Sequence, residues 1–314
     1  MARSFLQDTD FTRDEAEEIF QLAKSLKEGR GRSSQPRPLE GQTWALIFHK
    51  SSTRTRVSFE VGIHELGGHP MYLDQSKTQM GRGETVADTA RVLSRYIHGI
   101  VIRTFSHDVV EELAREGTVP VVNALTDLLH PCQIYSDLFT LIERWAQPGK
   151  SLVDSLAGRK ITFVGDCASN MAHSWILGAA HFGMQISLTG PEKYRPRPVV
   201  DTLLRQAGLK PTYEFTTDAK AAAKDADVVY TDVWVSMGDE AEKEARLREL
   251  APYQVDATMM AEARPGAYFM HCLPAHEGEE VSAEVYQSPQ SIVYDEAENR
   301  LHVQKAILCK LAEA

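Results

Sequence analysis

Short apolar runs alternate with amphipathic segments along most of the chain. The runs predict buried strands at residues 44–48, 100–102, 119–123, 161–164, 186–188, 226–230 and 267–270. The segments between them predict helices at residues 12–29, 52–66, 86–93 and 131–145, one ending at Phe182, and a charged one at 239–250 whose charges we expect to face solvent. Strands that alternate with helices indicate parallel α/β architecture, in which ligands gather at the carboxyl ends of the strands.

The segment Ala146-Gln147-Pro148-Gly149-Lys150 separates two such alternating series. Its proline, glycine and polar residues are typical of a connection between domains. We therefore predict two doubly wound domains, at residues 1–147 and 148–295, each with a central parallel sheet flanked by helices. The terminal helix, about 296–314, is expected to pack back on the first domain.

The stretch from Ser52 to Arg56 lies where the first strand ends and a helix begins. The first turn of a helix has unpaired N–H groups and the positive end of the dipole, and here it also has the hydroxyls of Ser52, Thr53 and Thr55 beside Arg54. An N-cap followed by solvated arginines is the simpler alternative. The coincidence of strand end, hydroxyls and arginines favours a phosphate site.

Other polar residues also follow predicted strands or precede helices. Arg103 ends a strand, and His130 precedes Pro131, which suits the first helical position. A single histidine before a helix is often only a cap or surface residue, but Arg103 and the phosphate turn favour a functional one. Asp232 follows a later strand.

The last predicted strand leads into His271 and Cys272. Neighbouring residues on an extended chain point to opposite faces, so we expect no dyad and no shared metal ion, and we interpret Cys272 as a thiol that lines the site. Arg300 follows a helix start predicted at Glu296, against the dipole preference, which favours a functional role for it. The polar composition of residues 73–84 predicts a mobile, solvated loop.

Composition and charge narrow the function classes. The chain has 314 residues, 43% hydrophobic and 25% charged, with a net charge of −10, so a broad nucleic-acid or anionic membrane surface is not expected. Its four cysteines lack Cys-x-x-Cys spacing, which argues against a disulfide framework or structural zinc. The absence of a signal peptide or membrane-length apolar run predicts a cytoplasmic protein.

The turn after Val164 lacks the glycines of a dinucleotide fingerprint, which argues against a nicotinamide oxidoreductase.

Taken in order, these motifs give the chain a close resemblance to the ornithine carbamoyltransferases from the first helix to the last. The motifs are Ser52-Thr53-Arg54-Thr55-Arg56, Arg103, His130-Pro131-Cys132-Gln133, Asp232 with Ser236-Met237-Gly238, and His271-Cys272-Leu273-Pro274. The first and third are shared by the wider carbamoyltransferase family, whereas the Ser-Met-Gly and His-Cys-Leu-Pro motifs mark the ornithine branch. The resemblance implies a carbamoyl-phosphate-binding first domain, an ornithine-binding second domain and an active site in the cleft between them.

The resemblance also implies roles for individual residues. Carbamoyl phosphate would be bound by Ser52, Thr53, Arg54, Thr55, Gln79, Arg103, His130, Gln133, Cys272, Leu273 and Arg300, the cysteine and leucine through their main-chain carbonyls. Ornithine would be bound by Asn170, Asp232, Ser236 and Met237. Arg54, Arg103, His130, Gln133, Asp232 and Cys272 would form the catalytic set. The family's usual Asn-Asn pair appears here as Ser169-Asn170, so Ser169 is left out.

The implied reaction is transfer of the carbamoyl group of carbamoyl phosphate to the δ-amine of ornithine, in arginine metabolism, without metal or cofactor. Gln79 matches a loop glutamine that enters a neighbouring subunit's site, which implies a homotrimer. Two alternatives stay open at this point. One is a carbamoyltransferase for another amine, such as putrescine or an N-acylated ornithine, and the other is a noncatalytic ligand-binding relative.

Overall fold

The computed structural model describes residues 2–32, 35–74, 83–235 and 242–313. The chain forms two compact units, one made of Met1–Phe139 with Glu298–Ala314 and the other of Thr140–Ala297. Both divisions fall inside helices. The domain boundary after residue 147 stays a prediction. Within the described ranges, no helix is long and apolar enough to cross a bilayer.

The first unit has a four-stranded parallel sheet in the order β2-β1-β3-β4. Its strands are β1 (Thr43–Phe48), β2 (His69–Asp74), β3 (Gly99–Arg103) and β4 (Val121–Leu125). Its helices are α1 (Arg13–Glu28), α2 (Thr53–Glu65), α3 (Val86–Leu93), α4 (His107–Glu116) and the start of α5 (Pro131–Trp145). Every residue of β3 and β4 is buried, as expected for parallel strands covered on both faces.

Local capping chemistry fixes where these helices begin. Thr12 and Glu15 form a reciprocal capping box at α1, in which each side chain accepts the other residue's N–H. Thr85 caps α3 by accepting the N–H of Asp88 at 3.0 Å. These side chains satisfy N–H groups that have no partner inside the helix, so the predicted starts of α1 and α3 are confirmed.

The second unit has a five-stranded parallel sheet in the order β7-β6-β5-β8-β9. Its strands are β5 (Lys160–Val164), β6 (Gln185–Thr189), β7 (Glu214–Thr216), β8 (Val228–Thr231) and β9 (Tyr268–His271). The helices are α6 (Asn170–Phe182), α7 (Val199–Gln206), α8 (Ala219–Ala223), α9 (Lys243–Leu250), α10 (Ala257–Glu262), α11 (Ala283–Tyr286) and the start of α12 (Val293–Ala312). One cluster of its core packs Val164, Val229 and Phe269 together.

The structure confirms the two parallel α/β sheets and the seven predicted strands, and it adds β2 and β7. It corrects two predictions about helices. The terminal helix α12 begins at Val293 rather than Glu296, so Arg300 lies two turns inside it and the dipole argument for Arg300 is wrong. The charges of α9 do not all face solvent, because Arg246 is buried. Residues 239–241 of that predicted helix lie outside the described residues.

Candidate functional site

The first turn of α2 is built as the sequence predicts. Ser52 is the N-cap, and its hydroxyl accepts the N–H of Thr55 at 3.2 Å. Thr53 is exposed at the helix start, Arg54 is partly buried in the same turn, and the Thr55 side chain is buried. This turn therefore combines hydroxyl groups, a helix N-terminus and a guanidinium, which together favour an anion.

The terminal helix adds a second guanidinium to this turn. Arg300 is almost fully buried in α12, and its Nη2 donates to the Thr55 hydroxyl at 2.5 Å. The two residues are 245 positions apart in the sequence. The structure thus brings together Arg300 and the α2 turn, which the sequence places at opposite ends of the chain.

Arg103 occupies the carboxyl end of β3, in register with Phe48 at the end of β1. Its carbonyl accepts the N–H of His49 at 2.8 Å, and its side chain is buried. Because β1 and β3 are neighbouring parallel strands, Arg103 lies beside the chain that leads into the α2 turn. Its position follows directly from the sheet register.

His130 and Gln133 lie at the start of α5. Both are buried, and the N–H of Gln133 donates to the His130 carbonyl at 3.0 Å. The Gln133 side chain is oriented by Asp137, whose Oδ1 accepts from Nε2 at 2.7 Å. Lys50, just after β1, bonds Asp127 in the turn that precedes His130. That ion pair links the α2 turn to the α5 turn.

The electrostatics of His130 show that the arginines converge on it. Burial lowers the pKa of His130 well below its ordinary value, and the charges of Arg300, Arg103 and Arg54 lower it further. At neutral pH the imidazole is therefore uncharged and offers one N–H donor. Three guanidinium groups around a neutral imidazole form a site that suits a multiply charged anion such as phosphate.

Residues of the second unit gather at the ends of β8 and β9. These strands are neighbours, with Thr231 in register with His271, so Asp232 and Cys272 leave adjacent strand ends. The Cys272 thiol donates to Asp232 Oδ1 at 3.1 Å, and the same oxygen accepts the N–H of Val233 at 2.8 Å. Both side chains are partly exposed. The arrangement can bind a cationic or amine-bearing ligand through a carboxylate with a thiol beside it.

The segment after β9 also corrects the geometry expected for His271 and Cys272. One ligand atom from each of Asp232, His271 and Cys272 lies within 4.8 Å of the others, so the expectation that these neighbours cannot face one ion is wrong. Both His271 ring nitrogens are engaged, however. Nδ1 accepts the N–H of Leu273 at 2.8 Å, and Nε2 lies 3.1 Å from Glu280 Oε1. A metal ion would have to displace one of these bonds.

Asn170 starts α6 beside the N-cap Ser169, whose hydroxyl accepts the N–H of Ala172 at 3.3 Å. The preceding turn contains Asp166, which is paired with the buried Arg246. The Nε of Arg246 also donates to the Trp234 carbonyl at 2.6 Å. Arg246 thus holds the turn before Asn170 and the segment after Asp232 together.

Three predicted site residues, Gln79, Ser236 and Met237, lie outside the described residues. Sequence reasoning missed four others that support the site: Lys50, Arg246, Glu280 and Glu296. Lys50 directly precedes the Ser-Ser-Thr-Arg stretch, which was a usable signal. Arg246 and Glu296 are buried through contacts distant in sequence, with Asp166 and Tyr230, and no local pattern indicates these two residues or Glu280.

The fold and these two groups of residues define a two-unit α/β protein with a phosphate-type anion site in one unit and a carboxylate-thiol site in the other. Residues 3–143 match the protein family described as "Aspartate/ornithine carbamoyltransferase, carbamoyl-P binding domain". Residues 157–311 match the family described as "Aspartate/ornithine carbamoyltransferase, Asp/Orn binding domain".

Full-length relatives agree with this assignment. The chain is 48% identical over 311 residues to an ornithine carbamoyltransferase of Methanoculleus marisnigri, covering 99% of this chain and 97% of the relative. It is 49% identical over 311 residues to one of Syntrophus aciditrophicus, covering 98% of this chain and 99% of the relative.

Solved structures show the same similarity. An ornithine carbamoyltransferase from Pyrococcus furiosus has a TM-score of 0.88 at 45% identity, covering 98% of this chain and 96% of that one. One from Thermus thermophilus has a TM-score of 0.85 at 39% identity, covering 99% of each chain. The chain belongs to the aspartate/ornithine carbamoyltransferase family.

Proposed function

We propose that the protein transfers the carbamoyl group of carbamoyl phosphate to the δ-amine of L-ornithine, giving L-citrulline and phosphate. The amine nitrogen forms a bond to the carbonyl carbon, the carbon–oxygen bond to phosphate breaks, and the amine loses a proton. Carbamoyl phosphate already has a good leaving group. The protein must therefore align two substrates and stabilise charge on the carbonyl oxygen and on the departing phosphate.

The first unit would bind carbamoyl phosphate. Ser52, Thr53, Arg54 and Thr55 would hold the phosphate, since the α2 turn offers N–H groups, hydroxyls and a guanidinium. Arg103 would bridge the phosphate and the carbonyl oxygen, and His130 would donate to that oxygen. Gln133 and Arg300 would orient the carbamoyl end. His130 suits this role because its lowered pKa keeps the imidazole neutral, and a neutral imidazole still has one N–H to donate.

The second unit would bind the acceptor. Asn170 and Asp232, with Ser236 and Met237, would hold the α-amino and α-carboxyl groups of ornithine. Cys272 would line the site as a positioning thiol, because it already donates to Asp232 at 3.1 Å. The main-chain carbonyls of Cys272 and Leu273 would accept from the carbamoyl amide.

One observation carries this proposal most strongly. Arg54, Arg103 and Arg300 come from α2, β3 and α12, yet their charges act on the same buried imidazole. Three guanidinium charges gathered at one place repel one another, and a bound anion would offset that repulsion. A noncatalytic relative would not need to retain all four groups. Their retention favours catalysis on a phosphorylated substrate.

The test is a colorimetric citrulline assay with carbamoyl phosphate and L-ornithine. We expect citrulline to form, and putrescine and N-acylated ornithine to be carbamoylated at least about a hundredfold more slowly, since Asp232 and its neighbours would lose their partners. Faster turnover of either amine would assign the protein to another acceptor. No turnover of any amine, with carbamoyl phosphate still bound, would support a noncatalytic relative.

We also propose that the protein works as a homotrimer in the cytoplasm and serves arginine metabolism. The edge strand β2 leads directly towards the stretch that contains Gln79, and Met71 and Tyr72 on it are exposed, as is Val57 on α2. Exposed apolar side chains of this kind favour contact with another copy of the chain. The four free cysteines suit a reducing compartment.

Light scattering during size-exclusion chromatography tests the assembly. We expect a mass three times that of the chain and a lower mass for Met71→Glu, which puts a charge at one of these exposed apolar positions. A Gln79→Ala variant should keep the trimer but lose activity if its loop serves a neighbouring subunit. A monomeric, fully active wild type would refute both the trimer and the role of Gln79.

A further inference from the structure

The chain directly after β9 has an unusual backbone conformation. Leu273 has a φ of +61°, in the left-handed region that residues with a side chain rarely adopt. Such residues persist only where the surrounding structure holds them, and they cluster at functional sites. Leu273 is also one of the two residues whose carbonyls we assign to the carbamoyl group. Some part of the protein has to hold it in this conformation.

His271 supplies that hold through its side chain. Its Nδ1 accepts the Leu273 N–H at 2.8 Å, so Nδ1 is unprotonated. The other ring nitrogen, Nε2, lies 3.1 Å from Glu280 Oε1. Because this carboxylate oxygen can only accept a hydrogen bond, Nε2 carries the ring hydrogen and donates it in that bond. The two bonds together define a neutral imidazole in a single tautomer and orientation.

His271 is fixed from its main chain as well. Its N–H donates to Glu296 Oε2 at 3.0 Å, while Glu296 Oε1 accepts from the Tyr230 hydroxyl at 3.1 Å. Tyr230, His271 and Glu296 are all fully buried. A buried and bonded network of this kind is rigid, so the imidazole has little freedom to move away from Leu273.

Glu280 completes the arrangement on the far side of the segment. It is fully buried, and its Oε1 also accepts the N–H of His276 at 2.6 Å. Burial raises the pKa of Glu280, but the bonds from His271 and His276 outweigh it and leave the pKa below its ordinary value. The carboxylate therefore stays charged and binds both ends of the segment from residue 271 to 276.

We propose that His271 is a positioning residue for the transfer reaction: its Nδ1 holds the Leu273 N–H and so aims the main-chain carbonyls of Cys272 and Leu273. The inference rests on the proposed function, because those carbonyls matter only if they receive the carbamoyl amide. His271 does not touch the substrates. It acts through the backbone, with Glu280 setting its tautomer and Glu296 its main-chain position.

Two isosteric substitutions separate the two ring nitrogens. In His271→Asn the side-chain oxygen takes the place of Nδ1 and can still accept from Leu273, whereas the Nε2 bond to Glu280 is lost. In His271→Gln the amide nitrogen takes the place of Nε2 and can still donate to Glu280, whereas the acceptor for Leu273 is lost. Each variant therefore lacks one of the two hydrogen bonds that the buried imidazole makes, and keeps the other.

We expect His271→Gln to lower kcat at saturating substrates by about tenfold or more, because small displacements of aligned groups are costly in rate. His271→Asn should stay within about threefold of the wild type, although both variants should melt at similarly reduced temperatures. A purely structural histidine would give equal losses of kcat in both, in step with melting temperature. That result, or wild-type kcat in both variants, would overturn the proposal.

A second pair keeps the test decisive if His271→Gln does not fold. Glu280→Gln retains an oxygen that accepts from His271 and His276, and we expect kcat within about threefold of the wild type. Glu280→Leu removes the acceptor and should lower kcat by about tenfold or more. Equal kcat in this pair would overturn the positioning network. A wild type that forms no citrulline would instead refute the proposed function itself.

Discussion

The first turn of α2 offers a matched pair of arginines that tests the anion site. Arg54 and Arg56 are two residues apart, belong to the same helix and carry the same charge. Arg54 is partly buried and lowers the pKa of His130, whereas the Arg56 side chain is 45% exposed and paired with Glu60 at 3.4 Å. Changing each to glutamine removes one charge while keeping a good helix former.

The two losses should differ greatly in size. Under the proposed function Arg54 would be a fixed donor beside the transferred group, and removing such a donor costs about 3–4 kcal/mol of transition-state stabilisation, or about 10²–10³ in rate. Arg56 has an exposed ion pair and a contact with the Tyr72 ring, 3.9 Å from guanidinium carbon to centroid. Interactions of that kind contribute about 1 kcal/mol or less to stability. Because Arg56 is also outside the proposed phosphate site, activity should change by less than about twofold.

The assay is initial-rate citrulline formation with carbamoyl phosphate varied at saturating ornithine. NMR titration of His130 gives a second readout. Its pKa should rise in Arg54→Gln and stay unchanged in Arg56→Gln, because Arg54 lowers the pKa of His130 and Arg56 does not. Light scattering should accompany both, because Arg56 contacts Tyr72, one of the exposed apolar residues of β2. If both variants have the same oligomeric mass as the wild type, equal rate losses in the two would refute the assignment of the phosphate to Arg54.

Three further predictions concern pH and packing. Burial lowers the pKa of His302 to about 4, although Glu298 opposes the shift, so only the unfolded state takes up a proton at this residue as pH falls below about 6.5. The free energy of unfolding should therefore drop over that range, and His302→Gln should reduce the pH dependence of the unfolding free energy measured by urea denaturation between pH 7 and 5. An unchanged pH dependence would remove His302 from that account. The transfer rate should rise with pH in the mildly alkaline range, because the δ-amine must be uncharged to attack; a flat profile with chemistry rate limiting would contradict this. Gly190→Ala should cost about 1–3 kcal/mol or more, since its Cβ would lie 2.1 Å from the backbone oxygen of Gly165; an unchanged melting temperature would show that the backbone yields freely there.

The sequence predicts the buried strands well, the edge strands β4 and β9 included, because parallel strands covered on both faces have continuous apolar runs. It misses β2 and β7, which are edge strands of their sheets. β2 is mostly exposed or half-buried and opens with His69-Pro70, and β7 has only three residues. Neither has the apolar run that predicts a strand.

The same physical distinction divides the candidate site. Arg103 and Asp232 could be predicted because each stands at the end of an apolar run. Glu296 could not, since it is a carboxylate inside a helix whose burial becomes visible only through Tyr230, 66 positions away. Arg246 lies in a highly charged segment where a solvent-facing position is the natural expectation. Long-range pairing decides the environment of both residues.

The bond between Arg300 and Thr55 has a consequence for the order of folding. During synthesis the α2 turn leaves the ribosome long before Arg300, which follows 245 residues later. The first unit can therefore form its sheet early, but its anion site acquires the third guanidinium only after the second unit has been synthesised. A nascent first unit should accordingly retain carbamoyl phosphate poorly, and tight retention should mark chains synthesised past α12.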